Sequence, residues 1–340
     1  MQDDFSVIAV IATYNEEDVI DACLRHLRDQ GVSAYLIDDG STDDTVRIAE
    51  AHLGRGLIGI ERLPPLSPPR FALSRILARK EELCATLPAS WFINHDADEF
   101  RESLWGGLDL RGALARVDAL GWNAVDFEVF EIPPVGDPET AVADPGAPPP
   151  GYRPGRPCDR LQIRAWRRQP LPVDLQSTGG HEVRFDGRRV FPLPFPMRHY
   201  PVRSREHGRR KIERDRRPRF DPAERQRGWH VQYDAEERAD VAAPGDVLPY
   251  DPDMARVLCV LRNRDLESAQ SRIDALSASV DALDAQLQQR VATIEAQRTE
   301  LGELRAKVAS LRYELDAVYA SRSWRWMAPL RAAFRLLGGR

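Results

Sequence analysis

The sequence is poor in cysteine, holds no apolar run long enough to cross a bilayer, and lacks a basic leader. Its four cysteines, Cys23, Cys84, Cys158 and Cys259, lie far apart and form no CxxC pair. That spacing argues against a structural zinc site or a disulfide framework and fits buried thiols in a reducing compartment. The apolar stretch 5–12, FSVIAVIA, falls short of the roughly 20 residues a spanning helix needs. The chain opens with acids where a signal peptide carries bases. Together these features predict a cytoplasmic protein, at most peripheral to the inner face of the membrane. A strong charge imbalance is also missing. The net charge is −5, from 48 basic and 53 acidic residues, which argues against a general nucleic-acid binder and against an acidic disordered chain.

What is present is an alternation of short apolar strands with helical patterns. Residues 5–12 read as a strand buried on both faces. Residues 17–29 follow with helical spacing (Val19, Ile20, Cys23, Leu24, Leu27). Strands are then expected at 34–37, 57–60 and 91–95, with helices at 43–53, 71–87 and 110–120 and an extended stretch at 123–132. This order predicts an α/β fold with a mostly parallel, Rossmann-like sheet and helices on both faces. Nine prolines between 133 and 157 predict an irregular surface loop. Strand signals return at 160–166, and 181–185 with 188–191 read as a hairpin turning at Asp186-Gly187. Residues 198–227 are basic, with twelve Lys/Arg against five Asp/Glu.

The last third is different. No proline occurs between Leu266 and Pro329. Apolar residues recur at 273, 276, 280, 283 and 287, then at 301, 304, 308, 311, 315 and 318. These steps of three and four form a heptad seam, with a stutter-like slip through Val291 and Ile294. They predict a long helix that pairs as a coiled coil with a copy of itself or with a partner, a homo-oligomer being the favoured expectation. The tail 321–340 has five arginines and no acids. Trp326, Met327, Leu330, Phe334 and Leu337 could share one helical face there, as on a membrane-surface helix or at the packed end of a coiled coil. The expected divisions are an α/β domain over 1–235, a linker over 236–262, a coiled coil over 263–320 and a basic amphipathic tail over 321–340.

Acidic motifs sit at the ends of the first strands. The first runs into Thr13-Tyr14-Asn15-Glu16-Glu17 and the second into Asp38-Asp39-Gly40-Ser41-Thr42-Asp43. Open α/β sheets bind ligands at the carboxyl ends of their strands. Adjacent acids there repel and are partly desolvated, so Asp38 and Asp39 are assigned function, such as accepting a nucleobase imide N–H. Ser41, Thr42 or Asp43 would cap the next helix. The fourth strand runs into Asp96-Ala97-Asp98-Glu99, a DxD pattern whose carboxylates suit a hard ion such as Mg²⁺ or Mn²⁺. Gly54, Gly56 and Gly59 match G-x-G-x-x-G, but they follow a helix and enter a strand, the reverse of a dinucleotide fingerprint.

The order strand–TYNEE, strand–DDGSTDDT, strand–DADEF resembles the family 2 glycosyltransferases of GT-A fold, strongly over about residues 5–100 and more loosely over 100–230. The resemblance implies a nucleotide-sugar donor, a divalent metal cofactor and, usually, inversion at the anomeric carbon. It implies that Thr13, Asn15, Glu16, Asp38 and Asp39 lie around the nucleoside, Asp96 toward the ribose and Asp98 on the metal. A late histidine, His199, would be a further metal ligand. Arg203 and Lys211, with Arg209 and Arg210, could bind the diphosphate. Inversion needs a general base, and Gly179-Gly180-His181-Glu182 offers His181 or Glu182, with His181 favoured for its near-neutral pKa. The acceptor would be a glycan or a lipid-linked glycan, as in surface polysaccharide synthesis, and the loop 133–157 could close over it.

Other functions fit less well. A nucleotidyltransferase would place a Gly-rich basic loop after the first strand, where acidic TYNEE stands. A nucleic-acid role for 198–227 lacks interleaved stacking aromatics. A catalytically inactive scaffold acting through its coiled coil would have no use for the DADE motif.

Overall fold

The structure is a computed structural model and describes residues 5–68, 70–155, 161–226, 241–262 and 264–337. It divides into two units, Met1–Glu267 and Ser268–Arg340.

The first unit opens with β1 (Val7–Thr13), α1 (Ile20–Asp29), β2 (Ser33–Asp38), α2 (Thr45–Glu50), β3 (Leu57–Arg62), α3 (Leu73–Thr86) and β4 (Trp91–Asp96). It continues with β5 (Glu99–Arg101), α4 (Leu110–Ala119), β6 (Ala124–Val125), β7 (Phe127–Glu131), β8 (Arg153–Pro154), β9 (Ala165–Arg167) and β10 (Phe195–His199). The helices α5 (Arg205–Arg209), α6 (Pro222–Gln226) and α7 (Pro252–Leu261) follow, with a π-helical stretch at Arg210–Arg216 after α5.

Six strands form the main sheet in the order β3-β2-β1-β4-β9-β6. The first four are parallel, and β9 runs antiparallel to both neighbours. Alternating β1 side chains feed two cores. Val7, Ala9 and Ile11 pack with Ile20, Leu24 and Leu27 of α1 and with Leu110 and Leu114 of α4. Ile8 and Val10 pack with Leu77 and Cys84 of α3. A period-two strand with both faces covered is expected to be apolar, and β1 is so up to the polar Thr13 at its carboxyl end. The expected α/β architecture is therefore observed.

The chain leaves this sheet at Asp126, whose Oδ1 accepts hydrogen bonds from the backbone N–H groups of Phe127 and Gln162, both at 2.8 Å. A second sheet follows in the order β5-β10-β7-β8. Its strand β10 lies within FPLPFPMRH, where three prolines mask the strand signal.

Several expectations need correction. The Asp186-Gly187 turn forms, with Gly187 at φ 72°, but no hairpin ladder does. Glu182, Arg184 and Val190 instead make isolated bridges to Ile163, Asp174 and Ala124. The strand expected at 160–166 is only Ala165–Arg167. The proline-rich segment is not wholly irregular, because β8 pairs with β7 and Tyr152 bridges Leu248. That bridge, and α7 with Ala255 and Cys259 buried in the core, show that 241–262 is packed structure and not a linker. Cys23, Cys84 and Cys259 are buried, and burial pushes the Cys84 thiol up to about 12. Cys158 and residues 227–240 lie outside the described residues.

The second unit is dominated by α8 (Arg264–Ala320), which begins in the first unit, and ends in α9 (Arg322–Trp326) and α10 (Ala328–Leu337). From Val280 to Val318 the seam residues are 48–63% exposed. Trp326 is 88% exposed, and Met327 and Leu330 are also exposed. The side chains of Ile273, Leu276, Phe334 and Leu337 lie outside the described set. No helix among the described residues is long and apolar enough to cross a membrane.

Candidate active site

Register brings the acidic motifs to one edge. Thr13 of β1 pairs with Asp38 of β2, and the preceding Ala12 pairs with Asp96 of β4. The residues after these strands emerge side by side at the carboxyl end of the sheet.

The first two loops are stitched together. Asn15 takes a left-handed backbone, φ 56°, which asparagine tolerates better than most residues. Its Oδ1 accepts from Thr42 N–H at 2.8 Å, and its own N–H donates to Ser41 Oγ at 3.0 Å. Asp43 Oδ1 accepts from Thr45 N–H at 3.0 Å and so supports the start of α2. Asp38 differs from its expected role. It is fully buried and accepts from Gly40 N–H, Ser41 N–H and Arg62 Nε, so it shapes the loop. Asp39 is the less deeply buried member of the pair. Its Oδ2 lies 3.2 Å from Arg219, whose guanidinium stacks 3.5 Å from the Tyr14 ring centre. Burial raises the Asp39 pKa, and Arg219 and Arg75 oppose that rise.

The two DxD acids part company. Asp96 keeps a side chain that is 46% exposed, and its carboxylate meets Arg164 at 2.7 Å and Lys80 at 3.9 Å. Desolvation would raise its pKa, but these two cations outweigh it and hold the carboxyl well below the usual range. Asp98 is 9% exposed and meets Lys211 at 2.8 Å and His199 Nε2 at 3.8 Å. Burial opposes its ionisation too, and Lys211, His199 and Arg203 override it, so Asp98 is an anion. β10 supplies His199, and a Tyr200 N–H bond to Asp98 O at 2.9 Å fixes the approach. The Asp98 carboxylate is of the type that suits a hard ion such as Mn²⁺ or Mg²⁺; here its Oδ2 is taken by Lys211 and its Oδ1 faces the His199 imidazole.

Glu16 and Arg203, expected near the ligand, meet each other. Glu16, Asp18 and His207 bring ligand atoms within 4.8 Å of one another. The Arg203 guanidinium lies among them, 2.6 Å from Glu16 and 2.8 Å from both Asp18 and His207 Nε2. A cation is therefore already built into this cluster. Burial and the nearby Arg203 and Lys211 charges push the His207 pKa down to about 2.

Of the two base candidates, Glu182 is closed by Arg188 at 2.5 Å and Arg184 at 3.2 Å. His181 Nδ1 faces the Gln162 amide at 3.1 Å and Arg164 at 3.4 Å. Arg164 thereby links His181 to Asp96. The loop itself is pinned to β4, since Gly180 O accepts from Asn94 Nδ2 at 2.8 Å. A Cβ at Gly180 would stand 2.9 Å from Leu77 and 3.0 Å from Asn94, so this position needs glycine. Asn94 Oδ1 accepts from Lys80 Nζ at 2.6 Å. Lys80 is buried, and desolvation lowers its pKa to about 8.

Sequence reasoning missed Lys80, Arg164 and Arg219. Lys80 had a signal, a lysine on the apolar stripe Ile76, Leu77, Leu83, Cys84 of α3. Arg164 and Arg219 had none, because their acidic partners are 68 and 180 positions away. Arg209 and Arg210, expected at the diphosphate, line a separate cavity with residues 138–142.

Residues 8–62 match the model of glycosyl transferase family 2. The match spans β1 to β3 and includes Asn15, Glu16, Asp38 and Asp39; the Asp96–Asp98 motif lies beyond it. No curated protein matches the sequence. Among solved structures, S. aureus TarS 1–349 is similar at 14% identity over 58% of this chain and 61% of that one, with a TM-score of 0.35. Glucosyl-3-phosphoglycerate synthase from Mycobacterium tuberculosis, in complex with Mn²⁺, UDP and glucosyl-3-phosphoglycerate, is similar at 19% identity over 37% of this chain and 44% of that one, with a TM-score of 0.24. The chain thus spans less than two thirds of either structure's length.

Proposed function

With the family 2 match over 8–62 as premise, we propose that the chain transfers a sugar from a nucleoside diphosphate donor to a hydroxyl of a glycan or lipid-linked acceptor. The observation that carries this reading is the gathering of Asp39, Asp96 and Asp98 with Arg164, Lys211 and His199 at the carboxyl edge of a parallel sheet. Asp39 and Tyr14 stand on the nucleoside side. Arg164 and Lys211 supply positive charge for the diphosphate. Asp98 and His199 would hold Mn²⁺ or Mg²⁺, which when bound offsets charge on the diphosphate. Glu16 and Arg203 brace the first loop behind the site. Thr13, Asn15 and Asp38 set the backbone of the nucleoside loops.

His181 is the favoured base for an inverting displacement, because two guanidinium groups already engage Glu182. The Gln162 amide at Nδ1 governs the ring proton. The Gln162 amide nitrogen and the Arg164 guanidinium both donate to Nδ1, which places the proton of the neutral ring on Nε2, so action as a base requires these donors to release Nδ1. The seam on α8 supports self-association, and the exposed Trp326 and Met327 support contact of 321–340 with a membrane face. That same exposed seam is what favours the second reading, a scaffold acting through its helix.

Thermal melting with UDP, dTDP, GDP and CDP, each with Mn²⁺, Mg²⁺ or EDTA, tests the proposal. A ligand bound only by the folded state raises the melting temperature by mass action. We expect one diphosphate to stabilise the protein in a metal-dependent way, and Asp98→Ala to abolish that shift. A folded protein indifferent to all four nucleotides would favour the scaffold.

A further inference from the structure

The segment from α5 through the π-helical stretch sorts its charges onto two sides. Lys211 reaches Asp98, and Asp215 lies 3.5 Å from Asn15. Arg210 and Arg214, each one residue earlier, join Arg205 and Arg209 around a cavity of about 490 Å³ whose other wall is 138–142. π-Helical turns are uncommon and concentrate at functional sites. Here the stretch lets one short segment serve the donor site and the cavity together.

The volume is in the range of small-ligand sites. Four arginines line the cavity against three glutamates, and Glu139 is engaged by Arg205 at 2.9 Å. The Arg209 side chain has no hydrogen bond or ion pair among the described residues. Arg210 Nε is buried with no hydrogen-bond partner, the Asp215 carboxylate lying 3.9 Å away. Arg214 Nε donates to Asp215 at 3.2 Å, which leaves its other N–H donors; these, with those of Arg209 and Arg210, match an oxyanion that offers acceptor oxygens in several directions, and phosphate is that group. The wall opposite, with Val142 and the Pro138 turn, leaves room for an uncharged body beside it.

We propose that this cavity is the acceptor subsite and that the acceptor is a phosphate-bearing polyol or sugar. The proposal rests on the glycosyl-transfer reading above. The arginines hold the phosphate, while a hydroxyl elsewhere on the same molecule reaches the donor. Its oxygen bonds to the anomeric carbon as the bond from that carbon to the diphosphate oxygen breaks. The electron pair leaves with the diphosphate, and the hydroxyl proton goes to the general base. The peptide joining Arg210 to Lys211 makes the cavity wall continuous with the cation on Asp98.

Calorimetric titration of the full chain with glycerol 3-phosphate tests this, with glycerol as uncharged control and with or without UDP and Mn²⁺. We expect glycerol 3-phosphate to bind, glycerol not to bind, and UDP not to compete. Arg205→Glu with Arg214→Glu should weaken glycerol 3-phosphate at least tenfold and leave UDP affinity within about twofold. The milder pair Arg205→Gln with Arg214→Gln should weaken it less, and it guards against misfolding of the first. UDP binding without glycerol 3-phosphate binding would overturn this proposal alone. So would displacement of glycerol 3-phosphate by UDP, or affinity unchanged in both variants. If UDP fails to bind while arginine-dependent phosphate binding remains, the transferase reading falls and the acceptor role falls with it.

Discussion

The two units dispose of their apolar residues in opposite ways. In the first, Val7, Ala9, Ile11, Leu24 and Leu27 are almost wholly buried by neighbouring helices and strands of the same unit. In the second, the seam from Val280 to Val318 keeps about half of each side chain exposed. A lone helix cannot cover its own stripe, whereas a two-layer α/β unit can. The first unit therefore completes its core from its own chain, and the second leaves an apolar face that another surface can cover.

The largest effect expected from breaking this contrast comes from Arg203→Met. It would leave the Glu16 carboxylate buried without its cation, beside Asp18 and His207, and should cost the first unit about 3–5 kcal/mol. Denaturant unfolding measures it; a loss below about 1 kcal/mol would mean the ion cluster does not hold the loop. Next is the seam. Leu304→Ala with Leu311→Ala should weaken self-association by about 2 kcal/mol or more, read by sedimentation, with the stability of the first unit unchanged. Wild-type protein that sediments as a monomer at every concentration would refute the pairing outright.

A smaller effect concerns pH. The folded-state pKa of His207, about 2, is below its unfolded value of about 6.5. The neutral ring is the folded form, so this stability is fully present above pH 6.5. It declines as pH falls toward 2, by up to about 1.4 kcal/mol per unit. His207→Gln should flatten the slope between pH 6 and 4. Residues 268–340 contain no histidine, so the change belongs to the first unit. The smallest effect expected is from Glu182→Gln, a partly exposed ion-paired residue, at under about 1 kcal/mol of stability. Its transfer rate should stay within about threefold, while His181→Ala should lower the rate about 100-fold or more. Equal losses in both would remove the preference for His181.

The same contrast explains what the sequence made legible. β1 to β4 are runs of adjacent residues with one dominant period, so their burial could be read locally. The loops after them carry their acids in short, recognisable strings. β10 was hidden because Pro192, Pro194 and Pro196 mask its strand pattern, even though its neighbours β5 and β7 fix it from both sides. The hairpin expected at 181–191 failed because its residues bridge Ile163, Asp174 and Ala124 instead of each other. Asp38 was read as a ligand contact when Gly40, Ser41 and Arg62 already use its oxygens. Partners such as Arg164 for Asp96, or Arg203 for Glu16, are brought together only by the folded topology.

Arg203 also bears on how the protein responds to chelators. The charge among Glu16, Asp18 and His207 is tethered to the backbone, and no chelator can remove it. The loop after β1 is thus built at any level of free metal, unlike a loop that an ion must complete. Starving the protein of divalent ions should leave that loop folded, and any change it causes should concentrate at Asp98 and His199.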